Sequence, residues 1–98
     1  MKTVSFIGHS CIINFGYYKG GRTAIMLNDD CDMEPIAIAT VNIPECHLEE
    51  GEVLIKNWSE NKGILDVLAK AGIIEDTGRT YPTGFCEANI CKLLYKGE

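Results

Sequence analysis

The chain reads as an α+β domain: a mainly antiparallel sheet of five to six strands, with one amphipathic helix over about residues 58–71 packed on one face. Three observations carry that reading. The first 43 residues are short β-type runs broken by turn residues. A single later stretch repeats its apolar residues at helical spacing. Ninety-eight residues, 46% of them hydrophobic, can enclose one core but are too few for two, which places residues 1–98 in one domain.

Thr3–Gly8 is short and apolar and reads as the first strand, followed after Gly8-His9-Ser10 by a second over Cys11–Tyr18. Lys19-Gly20-Gly21-Arg22 sets a Gly-Gly pair between two β-type runs, a hairpin signal because glycine accepts the positive φ that tight hairpins require. Arg22–Leu27 is the return strand and Asn28–Glu34 a polar turn. Pro35 opens Ile36–Ile43, apolar at both parities, the pattern of a strand buried on both faces. Pro44–Glu52 is an acidic loop and Val53–Lys56 a brief strand. Asn57 is placed to cap the helix, with Glu60 three positions on to close a capping box, and Ser59 is a competing cap. Ile64, Leu65, Val67, Leu68 and Ala71 form one apolar stripe, and Gly72 suits the left-handed residue that ends a helix. Thr77–Gly84, rich in Gly, Thr and Pro, reads as a structured loop, and Phe85–Leu94 as the last strand.

Charge is spread unevenly. Fourteen acids and nine bases give −5, yet Thr23–Ile55 holds no Lys or Arg and eight acids: Asp29, Asp30, Asp32, Glu34, Glu45, Glu49, Glu50 and Glu52. That stretch carries −8 and the rest of the chain +3. Those carboxylates are expected to form one contiguous anionic face that attracts a basic groove on a partner, with encounter fastest at low salt. The same balance argues against direct binding of duplex nucleic acid, whose phosphates need Lys and Arg. No stretch approaches the roughly 20 apolar residues of a membrane span, and the N-terminal residues lack the pattern of a secretory leader. Neither a membrane partner nor export is expected. The five cysteines, irregularly spaced and without C-x-x-C, read as reduced thiols.

Motifs that carry chemistry are sparse. His9 and Cys11 with Cys46 and His47 would make a Cys₂His₂ set, but neither pair has the knuckle spacing of structural zinc. Asp30-x-Asp32-x-Glu34 copies the first half of a calcium loop. Pro35 then stands where that loop needs glycine, and Val41 where it needs the bidentate glutamate. No metal and no cofactor is expected. Nucleophile, base and orienting group have no local signature, so no catalytic residue is named and a small enzyme is the least supported reading. A different alternative is a binder of a phosphorylated small molecule or nucleotide signal. Tyr17, Tyr18 and Arg22 around the Gly-Gly turn, and Trp58, Arg79, Thr80 and Tyr81 further on, supply guanidinium forks, a hydroxyl and stacking rings. The competing explanation is that both segments are turns, with Gly and Pro present for backbone geometry.

The runs Arg22-Thr-Ala-Ile-Met-Leu27, Ala39-Thr-Val-Asn-Ile-Pro-Glu45, Ile55-Lys-Asn-Trp-Ser-Glu-Asn61 and Ala71-Gly-Ile-Ile-Glu-Asp-Thr-Gly-Arg79 resemble a family of small uncharacterised domains carried on phages and conjugative elements of gut bacteria. The likeness covers most of the chain and is most specific from Ala71–Arg79 through Gly84-Phe85. It implies no activity and transfers no functional residue. What it implies is context: an accessory protein of a mobile element in the cytoplasm of a bacterial host, where such genes often encode inhibitors of host defence. Together with the charge pattern, the expectation is a non-enzymatic protein that counteracts a defence system by stoichiometric binding. Its acidic face would meet a basic, nucleic-acid-handling host protein such as a defence nuclease. A homodimer through the strand edge of Thr3–Gly8 is compatible with this.

Overall fold

A computed structural model describes residues 3–94 and has the α+β class that the sequence predicts. Strands β1 (Thr3–Phe6), β2 (His9–Tyr17), β3 (Thr23–Asp29) and β4 (Pro35–Ile38) form an antiparallel meander in chain order. Strands β5 (Glu52–Ile55), β6 (Ile74–Thr83) and β7 (Cys86–Leu93) form a second antiparallel sheet in the order β5-β7-β6. A 3₁₀ turn (Ser59–Asn61) and helix α1 (Ile64–Lys70) separate β5 from β6. No helix among the described residues is long and apolar enough to cross a membrane.

Two sheets replace the single sheet expected from the sequence, and the reason lies at Ala39. Its N–H donates to Ile25 on β3 at 2.8 Å, while its carbonyl accepts from Lys56, just past β5, at 2.8 Å. In a straight strand both groups would face the same neighbour. The chain therefore kinks after β4 and passes from one sheet to the other, where Thr40 bridges Ile55. The apolar run Ile36–Ile43 is a junction between sheets.

Turn chemistry fixes the meander. Phe6 pairs with His9, which leaves Ile7-Gly8 as a two-residue turn with φ of 51° and 77°. Positive φ at both positions is the type I′ signature that matches strand twist. The Gly20-Gly21 hairpin forms as predicted, with Tyr17 opposite Thr23 and both glycines at positive φ.

Alternation then sorts the faces. Phe6, Cys11, Ile13, Ile25 and Leu27 point inward and share one core with Val53, Ile55, Ile74 and Cys91 of the second sheet, with Ile73 just before β6 and with Ile64 and Leu68 of α1. The helix packs against β1 and β6, the outer strands of the two sheets. A second small cluster lies on the opposite face of the second sheet, where Leu54, Ala88 and Ile90 are covered by Ile43, by Cys46 and Leu48 of the acidic loop, and by Trp58 and Tyr81. Among the described residues the outward face of the first sheet has no such cover: Ile12, Met26 and Ile38 belong to neither cluster.

Two further elements differ from expectation. The helix does not run over 58–71 in one piece: Ser59 (φ 60°) and Gly63 (φ 94°) interrupt it, so a 3₁₀ turn precedes a seven-residue α1. Asn57 does cap the helix, but across that interruption, its Oδ1 accepting from Gly63 N–H at 3.1 Å and Leu65 N–H at 3.0 Å. Glu60 completes no capping box and instead accepts from Lys56 Nζ at 2.7 Å. At the other end Gly72 (φ 78°) acts as predicted. Ile73 N–H reaches Leu68 O at 3.0 Å and Gly72 N–H reaches Ala69 O at 3.1 Å, the paired bonds of a Schellman ending.

The second difference is Thr77–Gly84, most of which is strand β6. Its register shifts between Asp76 and Arg79 around Gly78 (φ 85°), and side chains satisfy the displaced backbone. Asp76 Oδ1 accepts from Gly78 N–H at 3.0 Å, and Thr77 Oγ1 both accepts from Arg79 N–H at 3.2 Å and donates to Ile90 O at 2.6 Å. A bulge needs glycine and short polar side chains, the composition that resembles a loop.

Candidate interaction surface

The eight acids of the lysine-free stretch form two groups at opposite ends of β3, and the contiguous face expected from the sequence is corrected accordingly. Asp29 ends β3, and Asp30, Asp32 and Glu34 occupy the turn to β4. Glu49, Glu50 and Glu52 instead line a cleft of about 230 Å³ with Gly20, Gly21 and Arg22, at the far end of β2 and β3. Seven residues of β3, at about 3.3 Å each, separate the groups by roughly 20 Å.

In the first group, Asp29 holds the turn together. Its Oδ1 accepts from Cys31 N–H at 2.8 Å and Asp32 N–H at 3.4 Å, and its Oδ2 lies 3.0 Å from His9 Nδ1. The Cys31 N–H, then His9, hold the Asp29 carboxyl below the usual carboxylate range. Asp32 Oδ1 accepts from Glu34 N–H at 3.0 Å, and Asp30 N–H donates to Ser10 O at 2.9 Å, which ties this turn to β2. The Cys31 thiol sits among these acids, and Asp30 foremost pushes its pKa up. Asp29, Asp30 and Cys31 bring their ligand atoms within 4.8 Å of one another. Ile7 and Met33, both exposed, lie on the turns at this same end.

In the second group, Glu52 is structural. Its Oε1 accepts from Glu49 N–H at 2.9 Å and its Oε2 pairs with Arg79. That N–H and then Arg79 lower the Glu52 pKa, with burial acting against them. Glu49 lies 3.2 Å from His47 Nε2. Glu45 and Glu50 are exposed. Asp30, Asp32, Glu34, Glu45 and Glu50 make no ion pair among the described residues.

The residues of the nucleotide alternative are dispersed and mostly engaged. Arg22 donates from Nη1 to Ile43 O at 2.8 Å and from Nη2 to Cys46 O, so its fork organises the acidic loop. Arg79 is held by Glu52. Tyr18 OH bonds Thr40 O and Oγ1, each at 3.0 Å. Trp58 and Tyr81 pack into the second cluster. Tyr17 and Thr80 are exposed. A groove of about 490 Å³ beside β4 contains Tyr18 alone of the seven, and the clefts at the hairpin tip contain Arg22 alone.

The histidines and cysteines considered for zinc also separate. Cys11 lies in the main core and Cys46 in the second cluster, with His9 and His47 exposed at different sites. All five cysteines are free thiols, and burial pushes that of Cys91 up to about 12.

Sequence reasoning missed Thr40 and Asn61, the two buried polar residues among those described. Thr40 Oγ1 accepts from Ile25 N–H at 3.2 Å and Asn61 Nδ2 donates to Ile38 O at 2.7 Å. Nothing local marks either one, because each serves a backbone group 15 or 23 residues away.

Comparison of the chain with known protein families, with curated proteins and with solved structures finds no match.

Proposed function

We propose that this chain is a non-enzymatic binding protein of a mobile element, which counteracts a bacterial host's defence by stoichiometric binding to a basic, nucleic-acid-handling protein. The observation that carries the reading is electrostatic. Asp30, Asp32 and Glu34 at one end of β3, and Glu45 and Glu50 in the loop at the other, are exposed carboxylates without an ion-pair partner among the described residues. Unpaired surface charge of one sign steers a partner of the opposite sign and imposes register on the complex. Two anionic points about one strand apart match a partner that presents two basic patches at similar spacing, as a surface that grips phosphates on both sides does. The resemblance to small domains of phages and conjugative elements supplies the biological context.

The test is capture from a bacterial host lysate, identification of the bound protein, and titration of that purified partner against charge variants. Asp30→Asn with Glu34→Gln removes two charges from one end, and Glu45→Gln with Glu50→Gln two from the other. These positions are chosen because Asp29 and Glu52 hold the backbone. Each end is expected to contribute, at about 0.2–1 kcal/mol per carboxylate, with affinity falling as salt rises. Affinity indifferent to all four substitutions and to salt would reject the reading.

A further inference from the structure

Resting on that reading, we infer that the outward face of the first sheet is the docking surface itself, and that its occupant is a protein surface with an uncharged centre and basic margins. On β2 and β3 the outward positions include Ile12, Asn14, Gly16, Met26 and Asn28, and β4 adds Ile38 opposite Met26. None of the outward strand positions from Thr3 to Ile38 is charged, in a chain in which 23% of residues are. Asn14 Nδ2 donates to Asn28 Oδ1 at 2.8 Å, so the polar groups here partly satisfy one another. Ile38 is 54% exposed, and no buried cluster includes Ile12, Met26 or Ile38.

The two acidic groups stand at the two ends of this same sheet. An uncharged centre containing isoleucine and methionine, with charge only at the margin, is the anatomy of an interface, where charged residues are depleted from the core and retained at the rim. Size decides what else is needed. Strands of 4, 9, 7 and 4 residues, at about 16 Å² per residue, give a face of about 400 Å². A standard interface takes about 800 Å² from each partner. The face alone is half of that, so the acidic turn and the acidic loop must take part. Their charge selects the occupant. A second copy would bring acidic margins against acidic margins, and nucleic acid would bring phosphates against carboxylates, whereas Lys and Arg flanking a flat apolar centre complement both features.

The experiment uses the full ¹⁵N-labelled chain and two probes. One is a panel of amphipathic β-hairpin peptides with Leu and Val on one face and Arg at both ends, and the other is poly-lysine. The hairpins are expected to shift the amide signals of Ile12, Asn14, Met26 and Ile38 together with those of the 29–34 turn. Ile38→Lys, at an exposed site that leaves folding intact, should weaken them about tenfold. Met26→Glu should do likewise. Poly-lysine should shift only the acidic segments and be indifferent to both variants. If the hairpins bind in a carboxylate-dependent way but ignore both variants, this inference falls and the proposed function stands. If no basic probe binds even at low salt, both fall. Self-association lost in Ile38→Lys, or the same shifts produced by a single-stranded oligonucleotide, would overturn the assignment in favour of a second copy or of nucleic acid.

Discussion

The hydroxyl of Thr40 takes the place of a ladder bond. Because the Ala39 carbonyl has turned to Lys56, the Ile25 N–H would lack its strand partner, and Thr40 Oγ1 accepts it while also meeting Tyr18 OH. Removing one partner of a buried pair exposes the full desolvation penalty of the other. Thr40→Val, which keeps the shape, is therefore expected to cost about 1–3 kcal/mol in urea unfolding. Ile7 makes the opposite case. A β-branched residue at φ 51° is strained, and this side chain is exposed, so it gains little burial in return. Ile7→Asn should stabilise the fold by about 1 kcal/mol, since Asn tolerates the left-handed region; an unchanged or lower unfolding midpoint would contradict this. Cys31 is exposed yet ringed by Asp29, Asp30 and Asp32, which disfavour its thiolate. It should react with a disulfide reagent more slowly than a free cysteine at the same pH, and Asp30→Asn should speed it.

At the scale of elements, sequence reasoning read turns and helix ends better than it read irregular strands. The Gly20-Gly21 hairpin and the Gly72 helix ending follow from φ preferences that operate within a few residues. The cap at Asn57 was legible as a residue but misplaced as a bond, because Ser59 and Gly63 insert a 3₁₀ turn before the N–H groups it serves. Asn57→Ala removes the acceptor for two N–H groups at once. It is expected to cost about 1 kcal/mol, within the usual range for caps, measured by thermal or urea unfolding. Strand β6 was hidden by its own bulge, whose Gly78 and Thr77 carry the composition of a loop.

For the whole molecule, charge sets how the fold answers acid. Asp29, Glu52 and Glu60 all have lowered carboxyl pKa values. Glu60 falls from 4.5 to about 2, chiefly through its hydrogen bond from Lys56. A carboxyl that binds its proton more weakly when folded contributes stability that is fully present above its unfolded pKa and lost as pH falls through the folded one. For Glu60 that window runs from 4.5 down to about 2. The melting-temperature gap between the parent chain and Glu60→Gln should be widest above that window, shrink within it, and narrow further in high salt because the pair is at the surface. A gap that grows on acidification would reverse the sign of this argument.

By itself the sequence determined the α+β class, the Gly20-Gly21 hairpin, the apolar stripe of the helix, and a middle third without Lys or Arg. Each is written in residues close enough to act on one another directly. Only the tertiary structure decided that the chain kinks at Ala39 and divides its described strands between two sheets. It alone placed the acids at the two ends of β3 and left an uncharged sheet face between them. Arg22, Arg79 and Tyr18 were likewise assigned to partners more than twenty residues distant. Such pairings depend on which segments chain closure brings side by side, and no local preference encodes that.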